Sequence, residues 1–252
     1  MNIFTDGNHL NIYIVLGSIL LLSVIVFIRY LVFSSLYQLV FFNWLKTHFS
    51  HRFLHKRPWK KRQLRKEVIW SMVSGFIFAM FIILTFIFQI EGFTAIYTDV
   101  KEFGWPYLIG SVFLVLFVQD TYYYWMHRWM HLPSVYKYFH LVHHKSVHTS
   151  VFTSFSFHPL ETILQAIIIP IVAIFIPLHL YAIIAIISLM TVSATVNHAG
   201  VEIYPSGKFG KWFKKWVIGA THHDAHHKKF NFNYGLYFTF WDRLMKTELE
   251  ES

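Results

Sequence analysis

Histidine is the residue type whose number and spacing could do chemistry. Thirteen of the 17 histidines lie between His127 and His227, and eight of those recur at helical intervals. In YYYWMHRWMH, from Tyr122 to His131, His127 and His131 are four residues apart and share one helical face, with Asp120 two turns earlier on the same face. His140, His143 and His144 form H-x-x-H-H, and His223, His226 and His227 repeat it. Positions i, i+3 and i+4 share a face while adjacent residues diverge by about 100°, so one such helix can offer imidazoles to two neighbouring metals. A lone histidine on an apolar helix is more often a hydrogen-bonded structural residue. Three groups at repeated intervals are what a shared imidazole site requires. Cysteine is absent, which excludes disulfides, cysteine-ligated zinc, iron–sulfur clusters and thiolate haem. Any metal here is held by imidazole and carboxylate.

The elements that must position these residues belong to a membrane protein. Hydrophobic residues make up 55% of the 252 and charged residues only 14%, against about a quarter charged in a soluble domain. Leu10 to Ile28, bounded by His9 and Arg29, carries no ionisable side chain and matches a bilayer core. The preceding residues hold Asp6 but no Lys or Arg, and no small-residue cleavage site follows, so this is expected to be a retained span rather than a signal peptide. Val68–Ile90 is a second span. A third, 106–124, is expected to emerge from the membrane into the first histidine group. Thr162–Val196, interrupted by Pro170 and Pro177, is expected to form a helical hairpin.

The net charge of +9 has an address. Nine Lys or Arg residues lie between Lys46 and Lys66, whereas Glu91–Trp105 carries one, Lys101. The positive-inside rule then puts residues 46–67 in the cytoplasm, and counting crossings puts all three histidine groups on that side. The basic run reads as a topogenic and headgroup contact, not a nucleic-acid site. The expected architecture is an all-α integral membrane protein with about four to five transmembrane helices or half-hairpins, under a cytoplasmic helical cap holding a histidine-rich dimetal site. Residues 1–67 would supply the first span and basic loop, and 68–252 the catalytic membrane domain, with histidine boxes at 127–144 and 198–227.

These boxes resemble those of the fatty acid hydroxylase and sterol desaturase superfamily, the integral membrane di-iron enzymes. The likeness extends to Asp120, FHPLE at Phe157–Glu161, NHAG at Asn197–Gly200, NYG at Asn233–Gly235 and WDRL at Trp241–Leu244. It runs from about Tyr107 to Thr247. The resemblance implies that His127, His131, His140, His143, His144, His198, His223, His226 and His227 bind two iron ions. It also implies that O2 is the co-substrate and that a lipid C–H bond, sterol, fatty acyl or related, is hydroxylated or desaturated. Asp120 is expected to receive an N–H from a ligating imidazole, and His158 to lie near the site. Asp224 is left between that role and solvent, and His148 between surface and site. A tenth ligand is left open among Glu202, His222, water and none. His9, His48, His51, His55 and His179 are read as surface or interfacial.

No haem or flavin fingerprint is visible, so an external electron donor such as cytochrome b5 or a ferredoxin is implied. Lys208, Lys211, Lys214 and Lys215 could dock it, although headgroup attraction would explain them too. The alternative function is a membrane metal-binding or metal-transport protein. Transporters place their site near the bilayer midplane, whereas eight of the nine histidines lie outside the apolar runs. The compartment is read as a bacterial inner membrane or endoplasmic reticulum, with the site facing the cytoplasm.

Overall fold

The computed structural model of the chain describes residues 5–6 and 9–249 and is almost wholly helical. Three of its helical segments are long and apolar enough to cross a membrane by length and composition: Ile12–Trp44, Lys61–Ile90 and Leu180–His198. The first begins at Asn11, whose side chain accepts the amides of Tyr13 and Ile14, satisfying two of the donors every helix start leaves free. Its α-helical part, α1 (Ile12–Leu39), passes into a π-helical turn at Val40–Trp44. Leu20 and Leu21 are each 62% exposed and Val32 is 55% exposed; such a stripe of open aliphatic surface suits lipid, not water. Arg29, expected to bound this span, lies within the helix instead. One ionisable residue does not end a helix whose backbone bonds are all internal.

Helix α2 (Lys61–Ile90) starts two turns before the apolar run, so its basic first turns project beyond the span. Glu67, where the run begins, is buried and accepts hydrogen bonds from Gln63, Ser146, Ser150 and Thr153 at 2.6–3.0 Å. It ties α2 to the loop after the second histidine box.

Helix α3 (Gly104–Met130) is long but divided, apolar at first and polar from Gln119 onward. It is not among the three apolar segments. Short helices α4 (Pro133–Phe139) and α5 (Leu141–His144) follow. The first limb of the hairpin is two helices, α6 (Pro159–Ala166) and α7 (Ile168–Phe175), and α8 (Leu180–His198) is the second. Pro170 lies inside α7 rather than at the break: lacking an N–H, it leaves the Ala166 carbonyl unmatched, and the chain interrupts there, one turn upstream. At the tip, Leu178–His179 pairs in parallel with Ile96–Tyr97. His179, read from sequence as interfacial, is buried, with Nε2 bonded to the Thr98 carbonyl and Nδ1 accepting the Tyr181 amide. Val115, Ile168, Val172, Leu178 and Ile186 form the core joining α3 to the hairpin. Beyond α8, helices α9 (Gly207–Lys214), α10 (Ala220–Lys229) and α11 (Phe240–Leu244) complete the cap.

Candidate metal centre

The eight histidines singled out by spacing, together with His198 from the family resemblance, converge into two adjoining groups. His127, His131, His140, His144 and His226 form one, and His143, His198, His223 and His227 the other; within each, the ligating nitrogens lie within 4.8 Å of one another. Both H-x-x-H-H boxes divide in the same way. His140 and His144 join the first group while His143 joins the second; His223 and His227 join the second while His226 joins the first. The i, i+4 pair shares a face and the intervening imidazole swings to the neighbour, as the 100° step requires. The rings of the two groups touch, with the His144 and His227 centroids 4.6 Å apart.

The Nε2 atoms face one another at 2.9 Å in His127–His140 and His198–His223, and at 3.1 Å in His144–His226 and His143–His198. A metal bound at about 2.0–2.1 Å per nitrogen has neighbouring ligands about 2.9–3.3 Å apart at octahedral to tetrahedral angles. The tautomers decide whether those short contacts are hydrogen bonds. Nδ1 of His143 and of His198 sit 3.3 and 2.7 Å from the carbonyls of Ser156 and Ala194. A ring that donates from Nδ1 in its neutral form has a bare lone pair on Nε2. Two lone pairs then oppose each other at 3.1 Å with no proton between them, which a cation relieves. His131 adds a buried Nε2 with no partner among the described residues. The donor set therefore fits metal ions.

Burial keeps these rings neutral. It holds His140, His143, His144, His223 and His227 well below the usual imidazole range, the neighbouring imidazoles adding to the effect, and holds His226 at about 4. A ligating imidazole must be unprotonated, so the fold meets the condition before metal arrives.

One turn orients two of the rings. Phe230 and Asn233, with φ of 63° and 60°, bend the chain after α10. The Phe232 carbonyl thereby meets Nδ1 of His226 at 2.6 Å and the Tyr234 carbonyl that of His127 at 2.8 Å. Asp242 accepts the amides of Tyr234 and Gly235, and Asp120 those of Leu236, Tyr237 and Phe238. Gly235 permits the packing, since a Cβ there would come within 2.6 Å of the Phe238 carbonyl oxygen.

Asp120, expected to receive an imidazole N–H, is spent on this turn because three converging amides claim its Oδ1. The carboxylate beside the histidines is Glu161, whose Oε1 lies 2.9 Å from Nδ1 of His140, both side chains fully buried. In the sequence Glu161 stands out only as the last residue of FHPLE. The proline and helix start before it were the usable signal, because they aim the first turn of α6 inward.

The other candidates lie apart from both groups. His158 caps α6, accepting the Leu160 amide. Glu202 bonds the Tyr204 amide and both the amide and hydroxyl of Thr221. His222 joins neither group, and both its ring nitrogens are buried without partners among the described residues. Asp224 meets Lys228 at 2.6 Å and His55 at 2.9 Å, so His55 is not the free surface residue expected, and His148 packs on His55. The His9 side chain lies outside the described residues.

Beside the second group is a cavity that opens to the surface. His198 and His223 form part of its wall, and most of the remainder is apolar, including Phe78, Phe155, Ile187 and Met190.

The fatty acid hydroxylase family profile matches residues 112–247. The chain belongs to the fatty acid hydroxylase family. Among curated relatives it is 31% identical to rat lathosterol oxidase over 198 residues, covering 78% of this chain and 64% of that protein. It is 34% identical to an Aspergillus fumigatus Delta(7)-sterol 5(6)-desaturase over 230 residues, covering 84% and 69%. The human lathosterol oxidase is 30% identical over 200 residues, and the chain spans 64% of its length, just under two thirds. No solved structure matches the chain significantly. The matched residues contain the nine histidines, Asp120, Glu161 and the turn that holds the rings.

Proposed function

We propose that this chain is a membrane-bound oxidoreductase that uses two iron ions and O2 to desaturate or hydroxylate a C–H bond of a lipid, a sterol or a close relative of one. The observation that carries the reading is the pair of imidazole groups with unprotonated nitrogens facing one another at the wall of an apolar cavity. The sterol class is supported by the names of the relatives, lathosterol oxidase and Delta(7)-sterol 5(6)-desaturase.

All nine histidines would serve as ligands, five to one metal and four to the other. Two irons so held would supply the redox chemistry that an unactivated C–H bond requires and acid–base groups lack. The four-imidazole group borders the cavity through His198 and His223, so its metal is the nearer to substrate. The chain's own part is positional. Backbone carbonyls fix the ring tautomers, Phe157 packs on His143 at 5.0 Å between ring centroids, and the apolar wall holds the lipid while excluding water.

Electrons would arrive from an external donor such as cytochrome b5 or a ferredoxin at the cytoplasmic face, where Lys208, Lys211, Lys214 and Lys215 lie on and beside α9. Purified protein should contain two irons per chain, and lipid extracts of expressing cells should contain an oxidised lipid absent from cells making His143→Ala. Fewer than two irons under iron-replete conditions, with identical lipid profiles, defeats the reading.

A further inference from the structure

Arg29 is a cation within the 33-residue helical run Ile12–Trp44, among neighbours suited to lipid: Ile28 beside it is 53% exposed and Ile25 50%. Its side chain turns inward, to the wall of the cavity that His198 and His223 also line. Its Nε is buried with no acceptor, and among the described residues no carboxylate pairs with it. Most other polar groups on that wall are already engaged. Gln119 Oε1 accepts the Tyr237 hydroxyl, Tyr122 donates to the Leu164 carbonyl, Thr85 to that of Phe81, and Nδ2 of Asn197 to that of Leu236, while Asn197 Oδ1, an acceptor rather than a donor, is left without a partner among the described residues. The cavity thus holds an uncompensated donor in apolar surroundings, where an ionised group normally has a partner and marks a functional site.

Its depth suits one end of an elongated molecule. Ser34 Oγ donates to the Val151 carbonyl, and Val151 packs with Ala199, next to His198. Arg29 is five residues earlier on α1, about 7.5 Å farther along the axis. On α8 the cavity wall runs from Ile187 to His198, about 16 Å. A lipid lying along that wall can meet the guanidinium and the histidine groups together.

We propose that Arg29 holds the polar oxygen of the lipid, a hydroxyl or carboxylate on an otherwise apolar molecule, and so determines which lipids enter and how they lie. The inference rests on the cavity being the lipid site. A guanidinium offers up to five donors in a fixed fork, which suits an oxygen acceptor and gives nothing to a pure hydrocarbon.

The test reads binding without turnover. Wild type, Arg29→Gln and Arg29→Lys, compared at equal metal content in detergent, would be offered cholesterol or its 3-deoxy counterpart, and oleate or octadecene, with retention read by native mass spectrometry. Wild type should retain one oxygen-bearing probe at least about tenfold better than its hydrocarbon partner. Arg29→Gln should erase that preference without changing hydrocarbon retention, and Arg29→Lys should keep part of it. Whether cholesterol or oleate carries the preference identifies hydroxyl or carboxylate as the ligand. Undiminished preference in Arg29→Gln, or no preference in wild type, overturns the proposal. Oxygen-dependent retention by a wild type that holds no iron and oxidises no lipid would instead sink the enzymatic reading and leave this one standing.

Discussion

At the scale of single residues, each ring's second nitrogen matters as much as the nitrogen facing the metal position. Carbonyls orient His127, His143, His198 and His226, whereas His140 has Glu161 beside Nδ1. Burial alone pushes the Glu161 carboxyl well above its usual range, a cation on His140 would draw it back to the carboxylate, and loss of such a partner typically costs about 10- to 100-fold in metal affinity. Glu161→Gln should weaken iron retention by that factor under chelator competition while leaving helix content by circular dichroism unchanged. The same burial sets an acid limit. Because the fold holds these imidazoles well below their usual range, the unfolded chain binds more protons than the folded one once pH drops under about 6.5. Metal-free protein should therefore show an apparent Tm that falls as pH drops from about 6.5 to about pH 4, the value for His226, because the buried imidazoles outnumber the buried carboxyls whose raised pKa opposes the trend. A Tm independent of pH in that window would contradict neutral burial.

Between elements, buried carboxylates fasten loops that carry site residues. Glu67 gathers three hydroxyls from the segment after the second box, and Asp120 gathers three amides from the turn before α11. Hydrogen bonds to charged groups contribute about 1.5–3 kcal/mol each, and deleting the acceptor strands its buried donors. Glu67→Ala should cost about 3 kcal/mol, read as a lower denaturation midpoint. Asp120→Ala should loosen the 234–238 turn and lower iron content through His127, although its carboxylate bonds no imidazole. Helix α9 makes a different contribution. Its lysines alternate with Phe209 and Trp212, which are 61% and 58% exposed. If an acidic donor docks there, neutralising Lys208, Lys211, Lys214 and Lys215 together should slow donor-dependent turnover at low salt, and the difference should vanish near 1 M salt, where screening acts within about 3 Å. Unchanged turnover at low salt would place the donor elsewhere.

For the molecule as a whole, the proposed orientation puts both histidine groups and the basic loop in the cytoplasm. The absence of cysteine makes this directly measurable. A single cysteine replacing Lys60 should react with a membrane-impermeant thiol reagent only when the cytoplasmic side of the membrane is exposed, and one replacing Asp99 only when the opposite side is. The reverse pattern would invert the protein.

The eight histidines at helical spacings, the split of each H-x-x-H-H box between two groups and the membrane character were legible in the sequence, because helical periodicity and hydropathy are local properties that survive any arrangement of the helices; His198 came from the family resemblance alone. Arg29 exposed the limit of that logic. Bounded runs of uncharged residues suggested an end to the first span, whereas helix continuity carries the chain past it and packing turns its guanidinium into a cavity. His179 and His55 likewise found buried partners distant in sequence. Packing between elements sets which carboxyl stands beside an imidazole, Glu161 and not Asp120, and which carbonyls fix the rings. Those partners lie on other elements, and hydrogen bonds extend only about 3 Å. A spacing rule along one helix carries no information about what another helix places at that distance.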